Sequence, residues 1–423
     1  MKNFYINNRK KLFDLMEENS IAIFHSGITF KCSADEYYDF AVDKNFYYLT
    51  GINQENVVLL MVKNGNERKA ILFIEANNPR LVKWVGAKLE KEEAIEISGV
   101  DEVVHFNGAD LAVSLTEEVL QKYLDEYVQS GIKNIYWNEE LYDYCFDFHA
   151  AFIKSMTKEY VDINLLNGYD LVVGLRMIKE DYEVEQIKAS IEVTKTGIEE
   201  LMRHCTVGLL EYELESYFDY HIKNHGQRVT SFKTIAAGGY NATTLHYSSN
   251  NCVLKDNELV LFDLGCKTNL YASDITRTFP INGKFTDRQK EVYEEVLNVN
   301  KKCIAYIKPG ITRREFNQYA LKLLTEACYR LGLIENDEDV RKYYMHSIGH
   351  SLGLDTHDPA LYDKPFAKGV VYTVEPGLYI EEENIGIRIE DDVLVTDNGC
   401  INLSSDIIKE VADIEEFMQK FNK

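Results

Sequence analysis

The stretch HSIGHSLGLDTHD (residues 346–358) carries three histidines, at His346, His350 and His357. HSIGH has the spacing of the zincin motif, but Ser347 stands where that motif requires a glutamate base, so a zincin helix is excluded. Gly349 and Gly353 disfavour any helix, because glycine costs about 1 kcal/mol relative to alanine in a helix interior. We therefore predict a strand or loop whose backbone comes close to another segment. The remaining chain must decide whether the histidines are ligands or hydrogen-bonded turn residues.

Composition limits the classes of function. The chain has 423 residues, a formal net charge of −23 and 45% hydrophobic residues, which predicts a globular protein of two or three domains. The excess of acidic residues argues against a nucleic-acid partner, since such binding depends on a surplus of Lys and Arg at the phosphates.

The N-terminal segment MKNFYINNRKKLFDLMEEN lacks the apolar core and the small-residue cleavage site of a signal peptide. The longest apolar run, residues 57–62, is far shorter than the roughly 18 residues of a membrane span and is typical of a buried strand. The eight cysteines include no CxxC pair, so neither a disulfide framework nor a zinc-thiolate site is indicated. We expect a cytoplasmic protein with no membrane partner and with reduced cysteines in its core.

Two domains are predicted, residues 1–172 and residues 173–423, and the fold class is α/β with α+β character. The first domain combines short β-like runs with a helical stretch at residues 115–129, which is an α/β pattern. Its β-like runs are residues 21–24, 57–62 and 70–74. Long helices dominate the second domain.

The second domain contains an internal repeat in the order helix, helix, histidine, strand. The first helices are predicted at residues 180–204 and 287–306, and the second helices begin after Gly208 and Gly310. Capping-box spacing marks two of these starts, Thr286 with Gln289 and Thr312 with Glu315. The strands that follow end in an acid and a glycine, LVLFDLG (259–265) and VVYTVEPG (370–377). The repeat predicts two related halves whose strands converge on a shared centre.

Four carboxylates lie in or beside apolar strands: Asp263, Asp274, Glu375 and Glu390. A carboxylate is costly to bury unless it is paired or binds a metal, and four that converge would repel one another until cations neutralised them. With His350 they form an oxygen-rich set that has one imidazole and no thiolate, which favours Mn, Co or Fe over a structural zinc. Taken alone, each acid is more often a strand-end residue that caps a turn or faces solvent, and it is the whole set in this order that favours a metal site. We keep the solvent-facing interpretation for Asp391 and Asp392.

The second domain resembles the pita-bread metallopeptidases of family M24, which include methionine aminopeptidase, prolidase and aminopeptidase P. The matching stretches are LHYSSN (245–250), LVLFDLGCKTNLYASDITRTFPINGKFT (259–286), MHSIGHSLGLDTHD (345–358), TVEPGLYI (373–380) and NIGIRIEDD (384–392). In the first domain NRKKLF, ADEYYDF and NFYYLTG (45–51) resemble the N-terminal domain of bacterial aminopeptidase P. The resemblance covers nearly the whole chain and implies a pseudo-symmetric pita-bread fold for residues 173–423.

This resemblance implies a metal site and a reaction. The implied ligands of two divalent ions are Asp263, Asp274, His350, Glu375 and Glu390, with Asp274 and Glu390 bridging. Mn²⁺ is the expected metal, with Co²⁺, Fe²⁺ or Zn²⁺ as alternatives, and a hydroxide between the two metals would attack the peptide carbonyl.

The resemblance also assigns roles around the metals. His246 would donate a hydrogen bond to the substrate or the tetrahedral intermediate, and His357 and Arg388 would line the pocket for the residue after the cleaved bond. Glu375 is counted as a catalytic residue as well as a ligand. His346 either supports these groups or makes a turn contact, and we weigh the two interpretations equally.

Three functions follow from the resemblance. The first is an Xaa-Pro aminopeptidase, which releases the N-terminal residue from peptides with proline in second position; the alternative is a prolidase, which cleaves Xaa-Pro dipeptides only. The third, a metal-free binding protein on the same fold, conflicts with the intact ligand set. ADEYYDF, NFYYLTG and the segment around Trp84 favour the aminopeptidase, a hydrolase expected to be a homodimer or homotetramer.

Two residues test the resemblance further. Trp84 could close the active site of a neighbouring subunit, but we prefer to interpret it as an aromatic residue that packs within its own domain. Phe232 stands where some relatives carry a tyrosine, which affects only a peripheral contact to metal or substrate.

Overall fold

The computed structural model of the protein describes residues 1–107, 112–140, 148–158, 160 and 162–421. The chain divides into two compact units, Met1–Arg176 and Met177–Lys423. The boundary that we predict near residue 172 lies within the last helix of the first unit, Tyr169–Arg176, a few residues before this division.

The first unit is built on a six-stranded mixed sheet in the order β6-β5-β4-β1-β7-β8. Its strands are β1 (Ser20–His25), β2 (Lys31–Ser33), β3 (Glu36–Tyr37), β4 (Val58–Asn64), β5 (Glu67–Ala76), β6 (Glu102–Asn107), β7 (Asn134–Trp137) and β8 (Asn164–Asn167). Its helices are α1 (Lys2–Leu15), α2 (Lys44–Thr50), α3 (Val82–Val85), α4 (Lys91–Ser98), α5 (Ala112–Gln129), α6 (Phe148–Thr157) and α7 (Tyr169–Arg176).

The apolar runs of the first domain form the centre of this sheet. β4 pairs antiparallel with both β1 and β5, and its residues from Val58 to Lys63 are all buried. The predicted β-like runs fall in β1, β4 and β5, and the predicted helical stretch falls in α5, so the α/β pattern of the first domain is confirmed.

The second unit contains two long helix pairs and several small antiparallel sheets. Its strands are β9 (Ile235–Gly238), β10 (Leu259–Leu264), β11 (Lys267–Thr268), β12 (Tyr271–Ala272), β13 (Ile275–Pro280), β14 (Val371–Val374), β15 (Gly377–Ile380), β16 (Ile385–Arg388), β17 (Asp391–Val395) and β18 (Cys400–Asn402). Its α-helices are α8 (Asp181–His204), α9 (Glu211–Asn224), α10 (Asp287–Tyr306), α11 (Arg313–Arg330) and α12 (Val411–Gln419), and short 3₁₀ helices span Gly239–Thr243, Asp337–Lys342 and Glu381–Glu383.

The predicted repeat is present in this unit. The helices α8 and α9 pack together in one half, and α10 and α11 pack together in the other. Both predicted capping boxes form: the Thr286 side chain accepts from Gln289 N, and the Thr312 side chain accepts from Glu315 N. Because β10, β13 and β16 contact one another, strands of both halves meet at one place.

Glycine permits a close backbone approach in each half. A Cβ added at Gly349 would lie 2.0 Å from Thr373 O, and one added at Gly265 would lie 1.9 Å from Ser273 O. No side chain fits at either position. The segment 346–358 is a loop that lies against β14, which confirms the close backbone approach predicted from its glycines.

Two expectations about buried residues are wrong. Trp84 is 86% exposed in the short helix α3, so it does not pack within its own unit. Cys32 and Cys252 are exposed, so the cysteines are not all core residues, and Cys145 lies outside the described residues. Among the helices that the structure describes, none is both long enough and apolar enough to span a bilayer.

Candidate active site and metal centre

A cavity of about 830 Å³ opens in the second unit. All of the residues that the sequence singles out as ligands or catalytic groups line it: His246, Asp263, Asp274, His350, His357, Glu375, Arg388 and Glu390. His346 and Phe232 line it as well. The fold therefore brings together groups that lie far apart in the chain.

Strands of both halves position the four carboxylates. Asp263 lies in β10, and Asp274 directly precedes β13. Glu375 directly follows β14, and Glu390 stands between β16 and β17. The loop of residues 346–358 is fixed to β14, because Thr373 N donates to His350 O at 2.9 Å. The sequence repeat thus explains why acids from both halves meet.

His350 points its imidazole at these acids. Its Nε2 lies 3.3 Å from Asp274 Oδ2 and 3.6 Å from Glu375 Oε1. Its Nδ1 lies 3.1 Å from Ser351 O, and a carbonyl at that nitrogen favours the tautomer whose Nε2 lone pair faces the carboxylates. Ligand atoms of Asp274, His350 and Glu390 all lie within 4.8 Å of one another.

The cluster fits a divalent cation on its own chemistry. Asp263 Oδ1 and Asp274 Oδ1 are buried and have no hydrogen-bond partner in the described structure, although a buried carboxylate oxygen ordinarily has one. Two orphaned acceptors that face a shared cavity, beside two further acids and an imidazole, form an oxygen-rich donor set of the kind that Mn²⁺ and similar ions take.

The electrostatics of the site show the repulsion that cations would remove. Burial, and then the charge of Glu390 and Asp263, hold the pKa of Asp274 well above its ordinary value. Burial raises the pKa of Glu375 to about 8 even though Arg388 opposes the shift. The pKa of Glu390 is also well above its ordinary value, because it is buried beside Glu375 and Asp263. At neutral pH these carboxylates cannot all ionise without a counter-charge.

The pKa of the histidine shifts in the opposite direction to the pKa values of the carboxylates. Burial, followed by the neighbouring His357, lowers the pKa of His350 to about 4. The ring is therefore neutral at physiological pH, which is the form that binds metals.

The guanidinium of Arg388 lies among these acids and carries a positive charge into the site. Its guanidinium donates through Nη2 to Asp263 Oδ2 at 2.6 Å, through Nη1 to Tyr379 Oη at 2.9 Å and through Nε to Thr276 Oγ1 at 3.1 Å. Thr276 Oγ1 in turn donates to Glu390 Oε2 at 2.7 Å. Arg388 lines the cavity as the resemblance implies, and it also holds one of the predicted ligands in place.

His346 belongs to the same hydrogen-bonded group. Its Nε2 lies 2.9 Å from Tyr379 Oη, and its Nδ1 lies 2.7 Å from Ser347 O. It thus reaches Arg388 through Tyr379, a residue that the sequence reasoning missed. The signal was present, because Glu375, Gly377 and Tyr379 alternate along one extended segment and alternate residues share a face.

His246 and His357 lie at the more open side of the site. The rings of His357 and His350 are 4.1 Å apart. Burial and then the charge of His246 lower the pKa of His357, which places these two histidines within electrostatic reach of each other. The His246 side chain is exposed, and within the described structure its ring has no hydrogen-bond partner.

The expectation for Asp391 and Asp392 is wrong. Both side chains are fully buried in β17, which is the central strand of the sheet β14-β17-β18. Asp391 pairs with Arg277, whose Nη2 donates to Oδ1 at 2.9 Å, and with Lys409. Burial alone would raise the pKa of Asp391, but these two cations lower it to about 2. Asp392 accepts from Asp274 N at 3.2 Å, and burial raises its pKa well above the ordinary value. The run of charges therefore continues a strand and does not form a solvated tail.

Comparison with known proteins places this chain in a family. Residues 185–397 match the model of metallopeptidase family M24, and residues 5–124 match the model of the aminopeptidase P N-terminal domain. The Xaa-Pro aminopeptidase of Haemophilus influenzae is 34% identical over 97% of this chain and 96% of its own length. The Xaa-Pro aminopeptidase of Escherichia coli is 30% identical over 97% of this chain and 96% of its own.

Solved structures are similar over the full chain. A structure from Bacillus anthracis, assigned to aminopeptidase P, matches with a TM-score of 0.95 and 42% identity and covers 100% of this chain and 99% of its own. Zinc-substituted Escherichia coli aminopeptidase P in complex with product matches with a TM-score of 0.91 and 29% identity, covering 100% and 99% of the two chains.

Proposed function

The chain belongs to metallopeptidase family M24 and is a metal-dependent aminopeptidase, and we propose that it releases the N-terminal residue from peptides with proline in second position. The observation that carries this proposal is the convergence of two aspartates, two glutamates and a neutral histidine in one cavity. An N-terminal domain of the aminopeptidase P type, in a chain that matches Xaa-Pro aminopeptidases over 97% of its length, favours this function over a prolidase.

Five residues would hold the metals: Asp263, Asp274, His350, Glu375 and Glu390. We propose two Mn²⁺ ions, with Co²⁺, Fe²⁺ or Zn²⁺ as alternatives, because the donor set is mainly carboxylate. Bound divalent cations lower the pKa of a water molecule and polarise a peptide carbonyl. Asp274 and Glu390 are both buried, and each offers a ligand atom within 4.8 Å of one on His350, so these two acids would hold metal together with that histidine.

The remaining residues would orient the peptide. His246 lines the cavity and its ring has no hydrogen-bond partner among the described residues, so it can donate a hydrogen bond to the substrate carbonyl or to the oxyanion that develops there. His357 lies beside it and would line the pocket for the residue after the cleaved bond. Arg388 would border the same pocket while its Nη2 keeps Asp263 in place.

Proline in second position differs from other residues in ways that a peptide-binding site can distinguish. Its nitrogen carries no hydrogen and its φ is fixed near −65°, so a site that needs a donor at that nitrogen rejects it. A rigid pocket between His246, His357 and Arg388 would accept this ring without losing a hydrogen bond.

The assembly state is part of the proposal. Trp84 is 86% exposed and its neighbour Val85 is 76% exposed, and large apolar side chains side by side on a surface often mark an interface. This supports a homodimer or homotetramer in which Trp84 contacts a neighbouring subunit.

A paired cleavage assay tests the function. The purified protein, stripped with a chelator and reloaded with Mn²⁺, would be offered Xaa-Pro-Yaa-Zaa peptides, Xaa-Pro dipeptides and Xaa-Ala-Yaa-Zaa peptides, with products followed by mass spectrometry. Release of the first residue from the longer proline peptides is expected. Cleavage of dipeptides alone would make the protein a prolidase, and cleavage of neither by the metal-loaded protein would refute the proposal.

A further inference from the structure

His246 is exposed in the cavity and its ring has no hydrogen-bond partner among the described residues. Its position therefore depends on the backbone that carries it. We call residues 238–252, from the last residue of β9 into the connection to β10, the His246 loop. A catalytic side chain that is not held by its own contacts needs a loop that is held firmly by others.

Glu211 holds this loop. It is the first residue of α9 and is fully buried. Its Oε1 accepts from Gly238 N at 2.8 Å and from Asn241 Nδ2 at 2.8 Å. Its Oε2 accepts from Tyr247 Oη at 2.8 Å and from Cys252 N at 2.9 Å. All four donors belong to the His246 loop, two before the histidine and two after it.

The arrangement requires a carboxylate. An ionised carboxylate has two oxygens and about four lone-pair directions, and each oxygen here accepts two hydrogen bonds. A glutamine would offer one oxygen only, and its amide hydrogens would face two of the four donors. Tyr247 Oη could rotate to accept, but Cys252 N would lose its partner. The four bonds also account for how a carboxylate can be buried here without an ion pair.

We propose that Glu211 is a positioning residue for His246, acting through the loop and touching neither metal nor substrate. This inference rests on the proposed function, in which His246 hydrogen-bonds the reacting carbonyl. Since a displacement of about 1 Å in a reacting group can cost roughly 100-fold in rate, a loosened loop should lower kcat more than it raises KM.

Glu211→Gln is the test variant, and Glu213→Gln is its control. Glu213 lies in the same helical turn, is exposed and accepts from Leu210 N at 2.8 Å without contacting the His246 loop. The control changes the same charge at the same helix start. We expect Glu211→Gln to lower kcat about tenfold or more, with unchanged metal content by elemental analysis, and Glu213→Gln to leave kcat unchanged.

A double-mutant cycle separates positioning from general damage. If Glu211 acts through His246, Glu211→Gln should have little further effect on kcat once His246 has been replaced by alanine. An equal fall in kcat with and without His246 would show a structural role only and would overturn the proposal.

A second readout does not depend on activity. Hydrogen exchange followed by mass spectrometry should show faster exchange across residues 238–252 in Glu211→Gln than in wild type or in Glu213→Gln. Unchanged exchange there would also overturn the proposal. If Glu211→Gln does not fold, Tyr247→Phe removes one of the four donors and keeps the carboxylate, and it should give the same changes with smaller size. Failure of the wild type to cleave Xaa-Pro peptides would refute the proposed function, while the exchange experiment would still test the loop.

Discussion

Arg388 Nη2 donates to Asp263 Oδ2 at 2.6 Å, and both groups are largely withdrawn from solvent, with side-chain exposures of 4% and 13%. This guanidinium also binds Tyr379 and Thr276, so one cation organises three elements around the four acids. The site therefore depends on a planar, forked donor, which is the property that separates arginine from lysine.

Arg388→Lys should lower kcat/KM by about 100-fold or more, because an ammonium cannot reach Asp263, Tyr379 and Thr276 together. Each of the two charge-assisted hydrogen bonds that are lost is worth about 1.5–3 kcal/mol. The measurement is kcat/KM on an Xaa-Pro-Yaa-Zaa peptide, with metal content determined in parallel. Full activity in this variant would show that the forked contacts are dispensable.

Glu390→Gln should abolish activity and yet stabilise the metal-free protein. Glu390 is buried beside Asp263 and Glu375, and its pKa is raised. An acid with a raised folded pKa contributes stability that is present below its unfolded pKa and is lost as pH rises through the folded value. Without metal, the variant should therefore unfold at a temperature about 2 °C or more above wild type at pH 8 and close to wild type near pH 4.

Thermal unfolding of the chelator-stripped proteins, freed of chelator and measured with and without added Mn²⁺, gives the unfolding temperatures of the metal-free and metal-loaded states. Mn²⁺ should raise the unfolding temperature of wild type much more than that of the variant, because a ligand stabilises only the state that binds it. A variant that retains metal and activity would remove Glu390 from the ligand set.

Glu183, which is not a proposed metal ligand, should make the free energy of unfolding depend on pH. Burial raises its pKa to about 7, although Lys179 opposes the shift. The stabilisation is fully present below the unfolded pKa near 4.5 and is lost as pH rises through 7. Relative to Glu183→Gln, the metal-loaded wild type should lose on the order of 3 kcal/mol of unfolding free energy between pH 4.5 and pH 8.

Urea unfolding at several pH values measures this difference. Glu185→Gln, an exposed position on the same helix, is the control and should follow wild type at every pH. A constant difference between Glu183→Gln and wild type across this range would show that Glu183 keeps an ordinary pKa.

Asp391→Asn should destabilise the protein by about 3–5 kcal/mol, because it leaves the fully buried Arg277 without its counter-ion. The exposed pair Lys368–Asp397 offers the matched control, and Asp397→Asn should change stability by less than about 1 kcal/mol. Denaturant unfolding of the metal-loaded variants gives both numbers. Equal stability of the two variants would contradict the importance assigned to the buried pair.

Much of the fold follows from local patterns. The strands β4, β5 and β10 each contain a continuous apolar run of four residues or more. The helices after Thr286 and Thr312 begin there because their capping boxes satisfy free backbone donors within four residues. Such signals involve neighbours in the chain, so the sequence contains them in full. The order of the proposed ligand residues, aspartate, aspartate, histidine, glutamate and glutamate, is also readable, because each lies in a short stretch that resembles the family.

Pairing between distant acids and cations is not readable in this way. Asp391 and Asp392 follow Glu390 directly, and nothing local indicates that Arg277 and Lys409 come from elsewhere to neutralise Asp391. Trp84 was misassigned in the opposite direction, as a buried residue that is in fact exposed. Aromatic residues usually pack in a core, and whether other segments cover this one depends on the tertiary structure.

The segment LEYELES (210–216) shows most clearly which features depend on the sequence alone and which depend on the tertiary structure. Sequence by itself determined that its apolar and acidic residues begin a helix, since periodicity and end preferences act over one or two turns. It could not distinguish Glu211 from Glu213. Only the tertiary structure decided that one carboxylate is buried under four donors of the His246 loop while the other faces water, because those donors lie 27 or more residues away and reach it only when the chain has folded.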